Sequence, residues 1–494
     1  MTEAHVRPDA AAARTLLDTH DVVALVMQLD AGDETPVTLM QRLGVDGHCF
    51  LLESAASPGG MHGFSFLGHD PVALAAADAV DPLAPLSAVL AERVAPVAGF
   101  EAPFVGGWVG YLGYEAAACY ERLPLAATVP PHLPVSGFAL YRTLTVFDHA
   151  HARVFLVTHL RHEDGDVDAA HARACVRLEA LHTRITGPPP RVGAADNPDA
   201  VAAPSQDGGS GAVSSAVLTD GASTFPRERF LDAVGRALEH IVAGDIYQVQ
   251  ISRRFSLELS AHPFTLYTAL RDSSPTPYLF YVSSPDAALV GASPEMLVRV
   301  RGDRVDYRPI AGTRRRGRTE ADDLAMEEEL RTSAKEQAEH LMLVDLGRND
   351  VGRVAATGSV EVHEVAVVER YSNVMHLVSG IRARLRPGCS ALDALRDCFP
   401  AGTVTGAPKI RAMEIIAALE PHARGPYAGA VGYIGSGGAV DTAIALRTVV
   451  AVDGHAYLQA AAGVVADSTP AEEAREIDNK LSAAVLALTR VNAL

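Results

Sequence analysis

Strand-length apolar runs, separated by turn-forming residues, recur along most of the chain and limit its possible folds more than any other feature. Two early runs lie at 21–30 and 48–55, and the segment 140–160 is typical of a hairpin. Helical patterns lie between the runs, for example at 167–184 and 226–245. This mixture predicts an α+β fold built on large antiparallel sheets that are flanked by helices.

The overall composition is that of a globular protein able to bury a sizeable core. The chain has 494 residues, of which 48% are hydrophobic and 21% are charged, enough for two or three ordinary domains. A formal net charge of -18 argues against nucleic acid as the main partner, because there is no basic excess to neutralise phosphates. The five cysteines are scattered without a CxxC pair, which favours a reducing compartment and provides no zinc or disulfide framework.

No targeting or membrane-spanning segment is recognisable in the sequence. Residues 1–17 lack the apolar stretch of a secretory signal. No uninterrupted apolar run is long enough to cross a bilayer. We therefore expect a soluble, cytoplasmic protein.

The composition changes between residues 186 and 225. This segment is rich in Pro, Gly, Ser and Ala and has no apolar periodicity, so it is predicted to be a linker or a mobile surface loop. It divides the chain into an N-terminal part, residues 1–185, and a C-terminal part, residues 226–494.

A strongly charged helical pattern at 320–350 contains the first candidate for chemistry. Acidic residues crowd its start, where the helix macrodipole favours them. Apolar residues at helical spacing predict one buried face, formed by Leu324, Leu330, Ala334, Ala338 and Leu341. Glu339 precedes the apolar run 341–344, and a carboxylate that enters a core is costly unless it is paired or holds a metal. Taken alone, the pattern favours a solvated helix with one half-buried glutamate.

Several motifs of the C-terminal part occur together. They include DIYQVQISRRF, ASPEML, IAGT, AEHLMLVDLGRND, NVMHL, GTVTGAPK and EEAREIDNK. In this combination and order the chain resembles the chorismate-utilising enzymes, and within them the large subunits of anthranilate synthases. The resemblance covers most of residues 244–494, and a looser one extends to FLLESA and VGGWVGYLGYE in the N-terminal part. It implies the fold of that family with an N-terminal regulatory portion.

The resemblance implies a reaction of chorismate with ammonia that depends on Mg²⁺. Glu339 and Glu476 match the family's metal ligands, and Glu473, one helical turn before Glu476, is a supporting ligand. Oxygen donors of this kind are what Mg²⁺ prefers, together with water and the substrate. Without the resemblance, Glu473 and Glu476 would be assigned to a solvated helix face.

Further positions match the family's contacts with chorismate: Gly312, Thr313, Tyr427, Arg447, Ala461, Ala462, Gly463 and Lys480. The resemblance implies that Tyr427 and Arg447 hold the side-chain carboxylate, for which a guanidinium fork is suited. It assigns the ring carboxylate to backbone N–H groups of 461–463, with Lys480 completing the anionic pocket. The family usually has glycine where this chain has Ala461, and alanine is costly there if the position requires a left-handed φ.

Three residues match the family's groups for proton transfer and substrate contact. Glu295 corresponds to the general acid that protonates the departing C4 hydroxyl, a role that requires a raised pKa. His376 corresponds to the histidine of the pyruvate-eliminating stage, and its alternative is an ordinary core histidine. Thr403 lies in a glycine turn before a helix, where it is expected to hydrogen-bond the substrate or else to cap the helix.

Two positions distinguish branches of the family. Gln248 stands where isochorismate- and salicylate-forming relatives have a lysine base, and glutamine cannot take a proton from water. Ala311 stands where many aminodeoxychorismate synthases have a lysine that attacks the ring. Both residues favour an anthranilate synthase. The alternatives are a 2-amino-2-deoxyisochorismate synthase, a 4-amino-4-deoxychorismate synthase and, outside enzymes, a silent sensor of tryptophan or chorismate.

The resemblance also implies a protein partner and an inhibitor. No cysteine lies in a nucleophile-elbow context such as GxCxG, so ammonia is expected from a separate glutamine amidotransferase subunit, anthranilate synthase component II, in a heterotetramer. The family's tryptophan feedback site matches a further set of positions: Glu53, Ser54, Pro277, Tyr278, Leu279, Val431 and Tyr433. We therefore expect inhibition by tryptophan.

Overall fold

The computed structural model describes residues 5–54, 63–75, 80–124, 131–188, 217–371 and 374–493. Most of the segment predicted to be a linker, residues 189–216, lies outside these ranges. In the described part of the chain, no helix is both long and apolar enough to span a membrane.

The larger of two sheets has 13 strands among the described residues. In spatial order, its main path is β1 (Val6–Arg7), β2 (Val22–Asp30), β10 (Arg153–Arg161), β9 (Thr143–Asp148), β4 (Phe64–His69), β3 (Cys49–Glu53), β12 (Tyr278–Ser283), β13 (Ala288–Ser293), β22 (Thr448–Val452), β23 (His455–Val464), β11 (Gln248–Glu258) and β19 (Gly406–Ala407). The main path is antiparallel, and a short strand, β6 (Val94–Ala95), pairs with β2 in parallel.

The second sheet has 10 strands among the described residues. Its main path is β16 (Ile310–Arg315), β18 (Val374–Arg384), β15 (Arg304–Tyr307), β14 (Met296–Arg301), β21 (Val440–Ile444), β20 (Ala430–Gly435), β7 (Gly107–Leu112), β8 (Ser136–Tyr141) and β5 (Ala73–Leu74), and β17 (Glu361–Arg370) pairs with β18. Strands from 1–185 and from 226–494 are neighbours in both sheets, because β3 pairs with β12 and β7 pairs with β20. The two parts of the chain therefore share both sheets.

The α-helices of the described residues cover the outer faces of these sheets. They are α1 (Ala10–Leu17), α2 (Pro36–Leu43), α3 (Val167–Thr186), α4 (Arg227–Val242), α5 (Pro263–Ser273), α6 (Glu320–Thr332), α7 (Ala334–Gly352), α8 (Ala391–Cys398), α9 (Lys409–Leu419) and α10 (Pro470–Val491).

Three apolar clusters define the layers of the molecule. Aromatic side chains from both sheets meet between them, among them Phe50, Phe66, Phe104, Tyr141 and Tyr433. A second cluster packs α1 to α5, α9 and α10 on the outer face of the first sheet. A third packs α7 and α8 on the outer face of the second sheet. The order is helices, sheet, sheet, helices, and the predicted α+β fold with large antiparallel sheets flanked by helices is confirmed.

The layer order explains why the strand patterns differ. The apolar run 22–27 of β2 has no polar alternation, and all of it is buried, because one face of the strand meets helices and the other meets the second sheet. β17 lies at the margin of the second sheet and alternates between exposed and half-buried residues. The predicted hairpin at 140–160 is confirmed as β9 and β10, joined through residues 149–152.

The charged pattern at 320–350 forms two helices rather than one. Ser333 lies between α6 and α7 with a ψ of 109°, outside the helical range, and its side chain accepts a hydrogen bond from the Glu336 N–H as the N-cap of α7. The predicted buried face is wrong apart from Leu330, because Leu324 lies on the exposed side of α6 and the break sets the rotational phase of α7 separately. Four of its members are exposed: Leu324, Ala334, Ala338 and Leu341. The buried residues of α7 are instead His340, Leu343, Val344, Gly347, Asp350 and Val351.

Candidate active site

The residues predicted for catalysis and substrate binding come from distant parts of the chain. They lie at or near the ends of several strands and helices, and the contacts described below connect them. Glu295 lies between β13 and β14, His376 lies on β18, and Thr403 lies in the loop before α9. The segment 461–463 belongs to β23, and the glutamates predicted to hold the metal lie on α7 and α10.

Glu295 is a buried carboxyl that keeps its proton near neutral pH. It is 5% exposed, and burial raises its pKa to about 8. The Thr403 side chain, the Ile310 N–H and the positive charge of Lys480 lower the pKa, but they do not offset the effect of burial. The Ile444 N–H donates to the Glu295 carbonyl at 3.0 Å, which fixes the backbone at this point. Glu295 is therefore equipped to donate a proton at pH 7.

His376 is a buried imidazole that stays neutral at the same pH. Burial and the positive charge of Arg447 lower its pKa to about 4. Its Nδ1 lies 3.0 Å from Thr313 Oγ1 and 3.2 Å from the Gly312 carbonyl oxygen. The ring of Tyr371 meets the imidazole edge to face, with 5.7 Å between ring centroids. Because a carbonyl oxygen only accepts, the contact with Gly312 places the ring hydrogen on Nδ1 and leaves Nε2 able to accept a proton.

Gly312 has a left-handed backbone and little space for a side chain. Its φ is +56°, and a Cβ there would lie 2.8 Å from Leu330 Cδ1 and 2.9 Å from Glu336 Oε2. This close approach places the Glu336 carboxylate directly beside a predicted substrate contact. Glu336 is in turn held by Arg314, whose Nη1 donates to Glu336 Oε1 at 2.9 Å.

Arg447 and Tyr427 form the side of the site that suits an anion. The Arg447 side chain is largely enclosed, burial lowers the pKa of its guanidinium, and no carboxylate of the described ranges pairs with it. An enclosed cation of this kind is costly until an anion neutralises it. Tyr427 is buried, and burial raises the pKa of its hydroxyl, which therefore keeps its proton at neutral pH.

The segment 461–463 offers backbone donors because one edge of its strand is open. β23 pairs with β11 as far as Val464, but its pairing with β22 ends at Leu458. Beyond Leu458, no strand of the described residues covers the edge that faces away from β11. Ala461 has extended backbone rather than a left-handed φ, so alanine causes no strain there. Lys480 Nζ donates to the Ala461 carbonyl at 2.8 Å and ties α10 to this edge.

Carboxylates of α7 and α10 lie close enough to repel each other. Glu339 and Glu476 each have a second glutamate one turn earlier on the same helix, namely Glu336 and Glu473. Burial, followed by the negative charges of Glu336 and Glu476, raises the pKa of Glu339. Burial also raises the pKa of Glu473, and the charge of Glu476 adds to this effect.

This arrangement suits a hard divalent cation. The donors are all oxygens, and Glu473 Oε2 is buried with no hydrogen-bond partner among the described residues. No three His, Cys, Asp or Glu side chains in the described ranges are placed to hold a metal by themselves. Mg²⁺ nevertheless needs only one or two protein carboxylates, because water and substrate complete its octahedral shell. Glu339 and Glu476 fit that requirement. Each also has a partner of its own, since Gln248 Nε2 donates to Glu339 at 3.1 Å and Lys480 Nζ lies 2.6 Å from Glu476.

The residues predicted for the tryptophan site divide into one group between the two sheets and another group outside that core. Tyr278, Val431 and Tyr433 belong to the aromatic core between the sheets. The Tyr278 hydroxyl donates to Asp441 Oδ1 at 3.0 Å, and Asp441 forms a buried ion pair with Arg299 at 2.8 Å. These three residues are therefore brought together, and a charged pair of the second sheet anchors one of them.

The other residues of that prediction lie apart from this core. Leu279 packs in the cluster beneath the helix layer, and its cross-strand neighbour Glu53 accepts hydrogen bonds from α5, one of them from Arg271 Nε at 2.8 Å. The Glu53 carboxylate thus fastens β3 to α5. Pro277 is buried just before β12, and Ser54 is half-buried just after β3.

Sequence reasoning did not single out Glu336. The signal was nevertheless present in the sequence, because both helices carry two glutamates at the same spacing, Glu336 with Glu339 and Glu473 with Glu476.

The fold and the connected groups define an enzyme of the chorismate-binding type. The family model described as chorismate binding enzyme matches residues 47–485, and the chain belongs to this family. It is similar to anthranilate synthase component 1 of Streptomyces coelicolor, with 49% identity over 98% of this chain and 93% of that protein. The protein of the same name from Thermus thermophilus is 43% identical over 93% of this chain and 96% of its own length.

A solved structure gives the same result. Anthranilate synthase component I from Streptococcus pneumoniae matches with a TM-score of 0.71 and 32% identity, covering 92% of this chain and 99% of that one. The resemblance predicted from the motifs is thereby confirmed.

Proposed function

We propose that this chain is the chorismate-converting component of an anthranilate synthase, which makes anthranilate and pyruvate from chorismate and ammonia. The observation that carries this proposal is the buried carboxyl of Glu295, whose pKa of about 8 leaves it protonated at neutral pH. Such a group can turn a hydroxyl into water as it leaves a ring. Among the reactions of the family, near-full-length similarity to proteins named anthranilate synthase component 1 supports this one.

The substrate is held by its two carboxylates. Arg447 and Tyr427 bind the side-chain carboxylate, because the guanidinium has no carboxylate partner in the described part of the protein. The open strand edge at 461–463 donates backbone N–H groups to the ring carboxylate, and Lys480 adds a positive charge beside it. Glu339 and Glu476 hold Mg²⁺, which supplies positive charge next to a substrate carboxylate when it is bound.

In the first stage, ammonia forms a bond to C2 of the ring. The ring double bonds shift, the C4–O bond breaks, and Glu295 gives its proton to the departing oxygen, so that water leaves. The added nitrogen then loses one proton to solvent, which gives 2-amino-2-deoxyisochorismate. Gln248 fits this choice of nucleophile, because an amide cannot take the proton that an attacking water would have to lose.

In the second stage, the ring becomes aromatic. The neutral His376 takes the proton from C2, for which Nε2 has a free lone pair. The bond between C3 and the ether oxygen breaks, and enolpyruvate leaves and becomes pyruvate when it is protonated. Thr313 and the Gly312 carbonyl hold the imidazole in the orientation that this step requires.

The ammonia comes from a glutamine amidotransferase partner, tryptophan acts as a feedback inhibitor, and the protein works in the cytoplasm. The absence of a GxCxG context around any of the five cysteines supports the need for a partner. Tyr278, Val431 and Tyr433, which lie in the apolar cluster between the sheets, support an inhibitor site built on apolar contacts.

The decisive experiment mixes the purified chain with chorismate, ammonium and Mg²⁺ and follows anthranilate fluorescence together with pyruvate release. We expect both products in equal amounts, and no turnover when glutamine replaces ammonium. The Glu295→Gln variant is the inactive control. Release of the aminated, non-aromatic intermediate without pyruvate would identify a 2-amino-2-deoxyisochorismate synthase instead. Binding of chorismate without any conversion would identify a sensor.

A further inference from the structure

Lysine is rare in this chain, and its few lysines are not scattered at random. Of 42 lysine and arginine residues, only Lys335, Lys409 and Lys480 are lysines. Two of them act on the candidate site. Lys480 lies 2.6 Å from Glu476, and the positive charge of Lys335 lowers the pKa of Glu339. Neither the motifs nor the proposed reaction gives the third, Lys409, a role.

Lys409 forms a buried ion pair with Asp350. Its Nζ lies 2.8 Å from Asp350 Oδ2, and the two side chains are 10% and 3% exposed. Taking both charges out of water costs nearly as much as their attraction returns, so apolar residues in their place often give equal stability. Stability alone therefore does not account for a pair in this position.

The ion pair connects two parts of the candidate site. One is α7, which carries the predicted metal ligand Glu339, and the other is the loop before α9, which contains Thr403. Asp350 lies in the last turn of α7, whose first half carries the predicted metal ligand. Lys409 begins α9, directly after the loop 402–408. The Thr403 side chain of that loop lowers the pKa of Glu295, and its Oγ1 is buried with no hydrogen-bond partner of its own among the described residues.

The loop 402–408 is also held closely on its other sides. The Gln250 N–H donates to the Thr405 carbonyl at 2.9 Å, which fixes the loop to β11. A Cβ at Gly402 would lie 1.9 Å from Leu346 Cδ2, so the loop packs directly against α7. A small displacement of α7 or α9 would therefore move the whole loop.

We propose that the Lys409–Asp350 pair is a positioning element that holds the loop 402–408 against α7 and so keeps Thr403 in place beside Glu295. The inference rests on the proposed role of Glu295 as the acid of the first stage. Lysine is required because a compact ammonium makes one bond to Asp350, whereas the larger planar guanidinium of arginine would displace the loop. This requirement explains why lysine persists here in a chain that uses arginine nearly everywhere else.

The test compares Lys409→Arg with a control on α7, the helix that carries Asp350. Asp345→Asn breaks a pair with Arg348 whose side chains are 73% and 55% exposed, and it should leave turnover unchanged. For Lys409→Arg we expect kcat from chorismate and ammonium to fall about 10- to 100-fold, since a misplacement of about 1 Å can have that effect. KM for chorismate should stay within about twofold of the wild-type value, because the variant leaves the contacts of Arg447 intact.

A second readout separates positioning from a general structural role. Supplied 2-amino-2-deoxyisochorismate should be converted to anthranilate at the wild-type rate, because His376 lies on β18 and has no contact with the pair. The double variant Lys409→Met/Asp350→Asn removes both charges and should unfold near the wild-type temperature, yet its first stage should remain slow.

Wild-type kcat in Lys409→Arg, an equal loss of both stages, or recovery of the first stage in the double variant would each overturn this inference. Failure of the proposed function would look different, since the unaltered protein would then make no anthranilate.

Discussion

Protonation of Glu295 links the stability of the fold to the pH range in which the enzyme works. Burial raises the pKa of this carboxyl from 4.5 to about 8. Between these two values the unfolded chain ionises the group, whereas the folded chain keeps it protonated. The unfolded state then binds fewer protons, so the free energy of unfolding falls as pH rises. The difference between the two pKa values corresponds to about 5 kcal/mol, lost between about pH 4.5 and pH 8.

The substitution Glu295→Gln should abolish this pH-dependent decrease in the free energy of unfolding, because an amide is neutral at every pH in the range. Relative to the wild type, the free energy of unfolding of the variant should therefore rise by about 3–4 kcal/mol between pH 5 and pH 8. Urea unfolding followed by circular dichroism measures the difference. The charged and titratable groups that face Glu295, Lys480 from α10 and Tyr307 from β15, are present in both proteins and largely cancel in the comparison.

The same group should control turnover. Because a general acid acts only when protonated, wild-type kcat/KM should decline above about pH 8. Glu295→Gln should lower the rate of the first stage about 10²- to 10⁴-fold. If the difference in unfolding free energy between the two proteins were the same at pH 5 and pH 8, the carboxyl would titrate normally and the reasoning would be wrong. Near-normal turnover in the variant would remove Glu295 from the role of acid.

Three further predictions concern the other parts of the site. Glu339→Gln or Glu476→Gln should abolish Mg²⁺-dependent turnover while the thermal unfolding temperature stays close to that of the wild type, and near-normal activity in both variants would refute the metal assignment. Ser54→Ala should weaken tryptophan inhibition roughly 5- to 150-fold with nearly intact uninhibited turnover, because a lost buried hydrogen bond costs about 1–3 kcal/mol; an unchanged inhibition curve would exclude Ser54 from the site. His376→Ala should let the aminated, non-aromatic intermediate accumulate, as seen by chromatography, and anthranilate formation at the wild-type rate would make the histidine a core residue.

Much of the fold could be predicted from local patterns. The apolar runs of β2 and β3 and the hairpin of β9 and β10 follow from residue types alone. The break at Ser333 was not predicted, because a serine within a charged helical pattern is compatible with both a continuous helix and a cap. The pairings of β3 with β12 and of β7 with β20 join segments more than 200 residues apart, and such contacts leave no periodic signal in the sequence.

The candidate site shows the same division between local and distant information. Motif matches were enough to select Thr313 and His376, which the structure places 3.0 Å apart on neighbouring strands. The ion pair of Lys409 with Asp350 was missed, although both residues lie in the quoted motifs, because a charged residue at a helix end is usually solvated. The pKa of each site residue depends on its burial and its neighbours, and these are known only once the sheets and helices are packed together.

The charges of the site should make Mg²⁺ and the substrate bind cooperatively. Arg447 and the strand edge at 461–463 suit the two carboxylates of a dianion, but Lys480 joins that edge to Glu476, and the charge of Glu476 already raises the pKa values of Glu339 and Glu473. A dianion therefore enters against repulsion unless a cation neutralises those glutamates first. Each ligand should tighten binding of the other by the same factor, and coupling of this kind is typically about 5- to 150-fold.

The Glu295→Gln variant, which turns over slowly, allows Kd for chorismate to be measured calorimetrically with and without Mg²⁺. Adding Glu476→Gln to this variant should tighten chorismate binding in the absence of Mg²⁺, because it removes one of the repelling charges. It should also reduce the effect of Mg²⁺ on Kd for chorismate. Equal Kd values for chorismate with and without Mg²⁺ would show that the glutamates and the substrate do not share one site.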